Sequence, residues 1–510
     1  MKTKTPSTPI NSRLELPTLF PARPELMMPR AAGVVNRSLS LVLNILKNTG
    51  KLVDDIVRDS LDLSREAEAL YAMARERAAA LSPAIRSTPR FARIFGELTR
   101  MVVDYRIQAL KSRFLSPTAS ARTLEALHRK NAERIYNLCV EMRGGLIKIG
   151  QFASTYMNIL PPVYAEYLSL LQDKVPPFPF EAIARRIETE LGRPIADVFA
   201  GIDPEPLAAA SIAQVHAAEL LDGTTVVVKV QTPDIEQTVE IDLTAFTLAA
   251  DIMNDLFPQL GLSGISRALA EAVREELDYG RELENIRDFR KQLVDNPCLA
   301  VPEVYPQAST RRLLTMERLT GQGLIPFLET ASPERRNRFL GLIAKSFCAQ
   351  IVSHGFFHAD PHPGNIIVLA DDRLGLIDFG CVERFSPEIY ALYARMIAAI
   401  LSRNVDEMTR LFSDMGFAGD TEQTETLRQM ATDFMELLML SPDQNLADAD
   451  LSQKISRALE LLRKYPSVRV PRHFVLLGRT LLTLGGIMMR YNPDINIFRL
   501  MAGHLAGASA

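Results

Sequence analysis

Two short stretches constrain this chain more than anything else in it. The first, "HADPHPGN", places Asp360 two residues after His358 and Asn365 five residues after Asp360. The second, "DFG", opens at Asp378, thirteen residues after Asn365. Between them "IIVL" and "LGLID" flank "ADD", the pattern of a small hairpin. A chain built this way brings an amide and a carboxylate, Asn365 and Asp378, onto neighbouring loops. Neutral and anionic oxygens of that kind suit a hard cation such as Mg²⁺. Asp360 then sits where it can orient or deprotonate an acceptor.

His358, Asp360 and His362 also raise a zinc reading. Pro361, Pro363 and Gly364 make the segment a loop, and no cysteine lies near it in the sequence to complete a tetrahedral site. His358 reads instead as a hydrogen-bonding brace, while His362 stays open between structure and site. The His-to-Asp and Asp-to-Asn distances are those of the protein-kinase catalytic loop, H-R-D-x-x-x-x-N.

Such a site needs a strand lysine, a helical glutamate to pair with it, and a cover for the phosphates. "AQVHAAEL" and "TTVVVKV" flank "LDG", a hairpin signature that puts Lys229 on its second strand. Its apolar neighbours half-bury it, and a buried ammonium needs a partner. Glu276, Asp278 and Glu282 in "EELDYGRELENIRDF" are the candidates, with Glu282 on a helix that continues to Arg290. The phosphate cover departs from a glycine-rich loop. "PLAAASIAQVH" holds Ala208, Ala209, Ala210 and Ser211 and no glycine. Alanine excludes the left-handed conformations that glycine permits, so a cradle built here differs in geometry.

Together these residues resemble the UbiB (AarF-like) family of atypical kinases, within the protein-kinase-like superfamily. "KIGQ", Lys148 to Gln151, is similar to that family's K-x-G-Q motif, "AAASIAQVH" to its alanine-rich loop and "ELD", Glu276 to Asp278, to its E-x-D motif. "HADPHPGN" and "DFG" are similar to its catalytic and metal loops. The resemblance covers roughly residues 120 to 500.

The resemblance implies roles. Lys229 contacts the phosphates of ATP or ADP and pairs with Glu282. Ala208, Ala209, Ala210 and Ser211 lie over the nucleotide, and Glu317, in "LLTMERL", lies in the hinge beside adenine. Asn365 and Asp378 hold Mg²⁺, and Asp360 is the catalytic aspartate. The segment with Lys148 and Gln151 folds over the active site, Lys148 engaging Glu276 and Asp278. Such a lid occupies the place of a protein substrate. The implied activity is therefore ATP binding with slow hydrolysis, in support of ubiquinone or other prenyl-lipid metabolism, with prenyl lipids or quinone precursors as partners.

Composition bounds the rest. A net charge of −3 on 510 residues leaves no nucleic-acid footprint. Four cysteines, none within four residues of another, indicate a reduced compartment. "MKTKTPSTPINSRLELPTLF" has no apolar core, so no secretory signal is expected. No apolar run reaches the spanning length of about 18 residues. "HFVLLGRTLLTLGGIMM", residues 473 to 489, carries Arg479 at its middle and reads as a buried core helix. Several bacterial members of the family end in two transmembrane helices, whereas "MAGHLAGASA" ends this sequence without them. A cytoplasmic chain is expected, with any contact to the inner membrane peripheral, through the basic-flanked helix near residues 38 to 58.

The expected fold is α+β, a bilobal protein-kinase-like fold with a helical N-terminal extension over the active site. The segments are a flexible 1–33, a helical 34–120, a helical K-x-G-Q extension 121–195, an N-lobe 196–320 with inserted helices, and a helical C-lobe 321–510. Two other functions stay open. Small-molecule phosphotransferases similar to aminoglycoside or choline kinases use a closely similar "H-x-D-x-H-P-G-N" loop, but "KIGQ" and the alanine-rich loop argue against them. A non-catalytic nucleotide-binding scaffold is opposed by the intact Asp360, Asn365 and Asp378.

Overall fold

In the computed structural model, the described residues are 50–113, 115–155, 161–171, 176–258, 261–292, 296–417, 423–438, 468, 470–492 and 495. The segment 1–33 and the last residues of the chain lie outside them. So does the part of the 38–58 stripe up to residue 49, and beyond it only the backbone is described.

The chain divides into two compact units, Met1–Ala121 and Arg122–Ala510. In the first, helix α1 (Gly50–Ala79) packs on α2 (Pro89–Lys111). Thr88 caps α2 by accepting the Phe91 N–H at 3.2 Å, ahead of Pro89 in the first turn. Phe91, Ile94, Phe95 and Val102 form its buried stripe, and Arg106 reaches back to Glu66 at 2.7 Å.

The second unit holds the kinase-like body. Helix α3 (Pro117–Met142) stops where Arg143 and Gly144 turn left-handed, with φ of 55° and 59°. Helix α4 (Gly145–Thr155), which carries "KIGQ", starts afresh from that break. It packs on α5 (Pro162–Leu168), and α6 (Phe180–Leu191) follows.

An antiparallel sheet in the order β1-β2-β3-β5 forms the N-lobe, from β1 (Phe199–Ala209), β2 (Ala213–Leu220), β3 (Thr225–Gln231) and β5 (Leu313–Glu317). The β2–β3 hairpin is the one the sequence predicts, with Val215 opposite Lys229. Val226, Val228 and Val230 are fully buried and pack with Ile183 and Ile187 of α6. Each such side chain contributes about 1.5–3 kcal/mol. Strand alternation sends Lys229 to the opposite face. The β1 strand contains Pro204 and Pro206 and pairs with irregular register, which an edge strand tolerates.

Helices α7 (Ile235–Leu256), α8 (Leu262–Glu276) and α9 (Tyr279–Gln292) are inserted between β3 and β5. "LAVPEVYP", which reads as a strand, is strand only at β4 (Leu299–Ala300), plus one bridge from Val304 to Met316. Its two prolines lack the N–H a ladder needs.

Helices α10 (Leu324–Thr330), α11 (Pro333–Cys348), α12 (Pro387–Leu401), α13 (Val405–Asp414) and α14 (Gln423–Leu438) build the C-lobe. Met408, Leu411, Phe412 and Met430 are at its core. The expected hairpin is present as β8 (Ile366–Leu369) and β9 (Leu374–Leu376). Three strands of three residues each escape a periodicity reading: β6 (Gly321–Gly323), β7 (Phe356–His358) and β10 (Val382–Arg384). A Cβ at Gly321 would lie 2.4 Å from the Val368 carbonyl oxygen, so the β6–β8 approach requires glycine.

Helix α15 (Arg472–Tyr491) is the apolar stretch around Arg479, and it buries Leu476, Leu484, Ile487 and Met488. No helix among the described residues is long and apolar enough to cross a membrane. Mixed helix and sheet in two lobes is the α+β kinase-like architecture the motifs predict.

Candidate active site

Lys229 leaves β3 and meets α9. Its Nζ donates to Glu282 Oε1 at 3.0 Å and Oε2 at 2.8 Å, and lies 3.5 Å from Asp378 Oδ2. Burial by itself would lower the lysine's pKa, but the Asp378 and Glu282 carboxylates hold it well above its ordinary value. The side chain of Glu282 is only 3% exposed, and its Oε1 also accepts the Phe379 N–H at 3.2 Å. One turn on, Asn285 Nδ2 donates to the Phe379 carbonyl at 2.9 Å. One turn further still, the Phe289 ring packs on that of Phe379, with centroids 5.0 Å apart. One face of α9 thus grips "DFG" through both backbone groups and the ring of its central residue.

Asp378 has φ 66°, left-handed for a non-glycine residue, at a cost of roughly 1–2 kcal/mol. Two hydrogen bonds fix it there. Its Oδ1 accepts the Gly380 N–H at 3.1 Å, and its carbonyl accepts from His358 Nε2 at 2.7 Å. Burial pushes the carboxyl up, yet Lys229, Lys148 and the Gly380 N–H outweigh that and hold it at about 2. Asp378 is therefore an anion at any ordinary pH.

The catalytic-type loop follows β7. His358 is buried, with its Nδ1 accepting the Asp360 N–H at 3.2 Å. That fixes the tautomer, so Nε2 carries the proton given to Asp378, and burial keeps the ring neutral. Both ring nitrogens brace the loop. His362 Nδ1 accepts the Gly364 N–H at 3.1 Å. Asn365 Nδ2 donates to the Asp360 carbonyl at 3.1 Å. The Ile377 N–H donates to the Asn365 carbonyl at 3.0 Å, which ties this loop to the segment that leads into "DFG". With its amide nitrogen so engaged, Asn365 Oδ1 is the atom this side chain offers to a ligand.

Asp360 Oδ1 is met by Arg479 of α15 at 2.8 Å, and the same guanidinium points at Cys381 Sγ, 3.9 Å away. Sequence reasoning treats Arg479 only as an interruption of an apolar helix. The available signal is that a charge amid apolar residues demands a buried partner. Asn285 gives no such signal, because a polar residue on an amphipathic helix is ordinary.

The K-x-G-Q helix α4 packs on α7 and α8. Its N-terminus is capped by buried Asp242 of α7, whose Oδ2 accepts the Leu146 N–H at 3.2 Å. A Cβ at Gly150 would lie 2.4 Å from Leu171 Cδ1, so glycine permits the close approach here. Gln151 Nε2 donates to the Leu171 carbonyl at 3.3 Å. Lys148 Nζ lies 2.6 Å from Glu276 Oε1 at the end of α8. Asp278 takes Arg311 at 2.8 Å and the Gly280 N–H at 3.1 Å.

The alanine-rich segment is the tip of the β1–β2 hairpin. Ala208 and Ala209 end β1, opposite Val215 and Gln214. The Ala210 N–H donates to the Ala213 carbonyl at 2.8 Å, closing the turn around buried Ser211. Gln214 Oε1 accepts the Phe178 N–H, tying the extension to this hairpin. Glu317 ends β5, and its Oε2 accepts the Glu303 N–H at 3.1 Å. The geometry thus gathers Lys229, Glu282 and Asp378 in direct contact, joins Asn365 to Asp360, and sets Lys148 on Glu276. It places the alanines and Glu317 at the ends of N-lobe strands.

The chain is similar to several known proteins. Residues 170–412 match the model of the ABC1 atypical kinase-like domain. A probable protein kinase UbiB of Pseudomonas paraeruginosa is 33% identical over 364 residues, 69% of this chain and 67% of that protein. An uncharacterized chloroplastic aarF domain-containing protein kinase of Arabidopsis thaliana is 32% identical, over 69% of this chain and 70% of its own. An uncharacterized protein of Synechocystis is 32% identical over 73% of this chain and 64% of its length. Among such relatives the matched share of the relative's length falls as low as 54%. A solved complex of Rv3197 with erythromycin from Mycobacterium tuberculosis aligns with a TM-score of 0.48 at 25% identity, over 76% of this chain and 99% of that one. The fold and site define a kinase-like protein of the atypical class. The chain belongs to the UbiB/AarF-like family of atypical kinases.

Proposed function

We propose that this protein is a Mg²⁺-dependent, ATP-binding atypical kinase or ATPase that supports ubiquinone or other prenyl-lipid metabolism, and that it is not an ordinary protein kinase. The observation that carries this reading is Lys229, held on both oxygens of buried Glu282 and 3.5 Å from Asp378. A strand lysine fixed by one carboxylate and facing a second is placed to receive phosphate oxygens. The hairpin tip at Ala208, Ala209, Ala210 and Ser211 covers the nucleotide in this reading, and Glu317 borders adenine.

Asn365 Oδ1 and the ionised Asp378 are hard oxygen donors of the kind Mg²⁺ takes, and they are the residues that would hold it. When bound, Mg²⁺ neutralises charge on the phosphate oxygens. Asp360 is the acceptor-facing carboxylate. Its ion pair with Arg479, together with the Lys148–Glu276 contact, supports slow turnover over rapid phosphorylation of a polypeptide. The link to prenyl lipids rests on the family resemblance, and any membrane contact is read as peripheral.

The test is ATP turnover by the purified chain, with and without liposomes carrying prenyl-lipid or phenolic quinone precursors. Stimulation by the loaded liposomes is expected, and Asp378→Asn should cut Mg²⁺-dependent turnover by about 100-fold or more. Unchanged turnover in that variant removes the metal assignment. Turnover driven only by a soluble hydroxyl compound replaces this reading with a small-molecule phosphotransferase.

A further inference from the structure

Tyr279 opens α9, directly after the "ELD" motif. It is 1% exposed, and its hydroxyl has no hydrogen-bond partner. Its ring lies against Lys229, with Nζ 5.2 Å from the centroid. Burial, opposed by Lys229, pushes the phenol's pKa up, so it is a protonated donor. A buried hydroxyl without an acceptor is costly to keep.

The carboxylates around it are engaged elsewhere. Both oxygens of Glu282 take Lys229, and one of them also takes the Phe379 N–H. Asp378 takes the Gly380 N–H on Oδ1 and faces Lys229 with Oδ2. Glu276 takes Lys148. The hydroxyl is thus a donor carried on a ring that lies against a cation, with its acceptor still to be supplied. An anionic oxygen drawn to Lys229 would satisfy both groups at once.

We propose that the Tyr279 hydroxyl is a ligand-contacting group of the nucleotide site, donating its hydrogen bond to a phosphate oxygen of the bound nucleotide. This rests on the nucleotide reading of the Lys229 site and adds a residue to it. The contact is to the phosphates and not to the nucleoside, because Lys229 is the cation beside it.

Tyr279→Phe tests this cleanly, since it keeps the ring under Lys229 and removes only the hydroxyl. Binding of Mg-ATP, Mg-ADP and adenosine to the full chain is measured by calorimetry, alongside the unliganded melting temperature. The expected result is about 10-fold weaker binding of Mg-ATP and Mg-ADP, the loss typical of a hydrogen bond to a charged acceptor. Adenosine affinity stays unchanged, and the unliganded melting temperature stays the same or rises, because the variant sheds an unpaired buried hydroxyl.

Equal affinities in variant and wild type overturn the proposal. So does an equal loss for adenosine. A lower unliganded melting temperature with unchanged affinity, or failure of the variant to fold, also overturns it. Either result assigns the hydroxyl a structural role in the core, such as holding a buried water. If the wild-type chain binds none of the three, the nucleotide reading itself has failed. If it binds them and the variant matches it, only the Tyr279 contact has failed.

Discussion

Lys229–Glu282 and Lys148–Glu276 are both lysine–glutamate pairs, yet they are built differently. Lys229 is bidentate on a glutamate whose side chain is 3% exposed, and that glutamate also holds the Phe379 N–H. Lys148 lies 2.6 Å from a glutamate that is 24% exposed, at the end of a helix. The first pair is woven into the core through β3, α9 and the metal-type loop. The second joins the K-x-G-Q extension to the N-lobe at its margin. Removing one charge from the first leaves the other stranded in the interior, whereas Glu276 retains access to water. The difference separates a fixed part of the site from one that can be loosened without dismantling it.

Lys229→Met breaks the comparison at its stronger end. Losing one partner of a buried pair costs about 3–5 kcal/mol, so the urea midpoint should fall steeply and nucleotide binding should vanish. A loss under about 1 kcal/mol, as for a surface pair, would erase the distinction between the two. Lys148→Met should cost less, about 1–2 kcal/mol, between the surface and buried limits. It also removes one of the cations acting on Asp378. Isothermal titration should therefore show tighter Mg²⁺ binding than wild type, and weaker binding would contradict the assignment of Asp378 to the metal.

The smallest effect lies at acid pH. Asp378 is held at about 2 against an ordinary 3.8. Its stabilising contribution is complete above the higher value and is lost as pH falls through the lower one. Because the side chain is 50% exposed, solvent screens much of this contribution. Wild type should therefore exceed Asp378→Asn in stability by a steady margin above the ordinary value of 3.8, and acid unfolding should show that margin shrinking as pH falls toward about 2. A difference that stays unchanged as pH falls to about 2 would assign the effect to something other than this ionisation.

Much of the site can be read locally. The β2–β3 and β8–β9 hairpins follow from strand alternation around turn residues, and the His358–Asp360–Asn365 spacing falls within one loop. What is not legible lies across the chain. Glu282 lies 53 residues from Lys229, and its bond to Phe379 spans 97. Sequence motifs suggest the first pair but give no reason to expect the second. The three-residue strands β6, β7 and β10 are shorter than any period that reveals a strand. In "LAVPEVYP" the apolar residues outweigh the prolines on a reading by pattern, whereas the ladder itself stops at Ala300.

By itself the sequence determined the family, the two-lobed α+β class and the residue types of the reacting loops. These depend on spacing and local turn chemistry. Only the tertiary structure decided which charge meets which. It gave Asp360 to Arg479, Phe379 to Asn285 as well as Glu282, the α4 N-terminus to Asp242, and left the Tyr279 hydroxyl without an acceptor. The physical reason is that a buried charge or donor must find a partner. Packing, and not sequence distance, sets which partner is within reach.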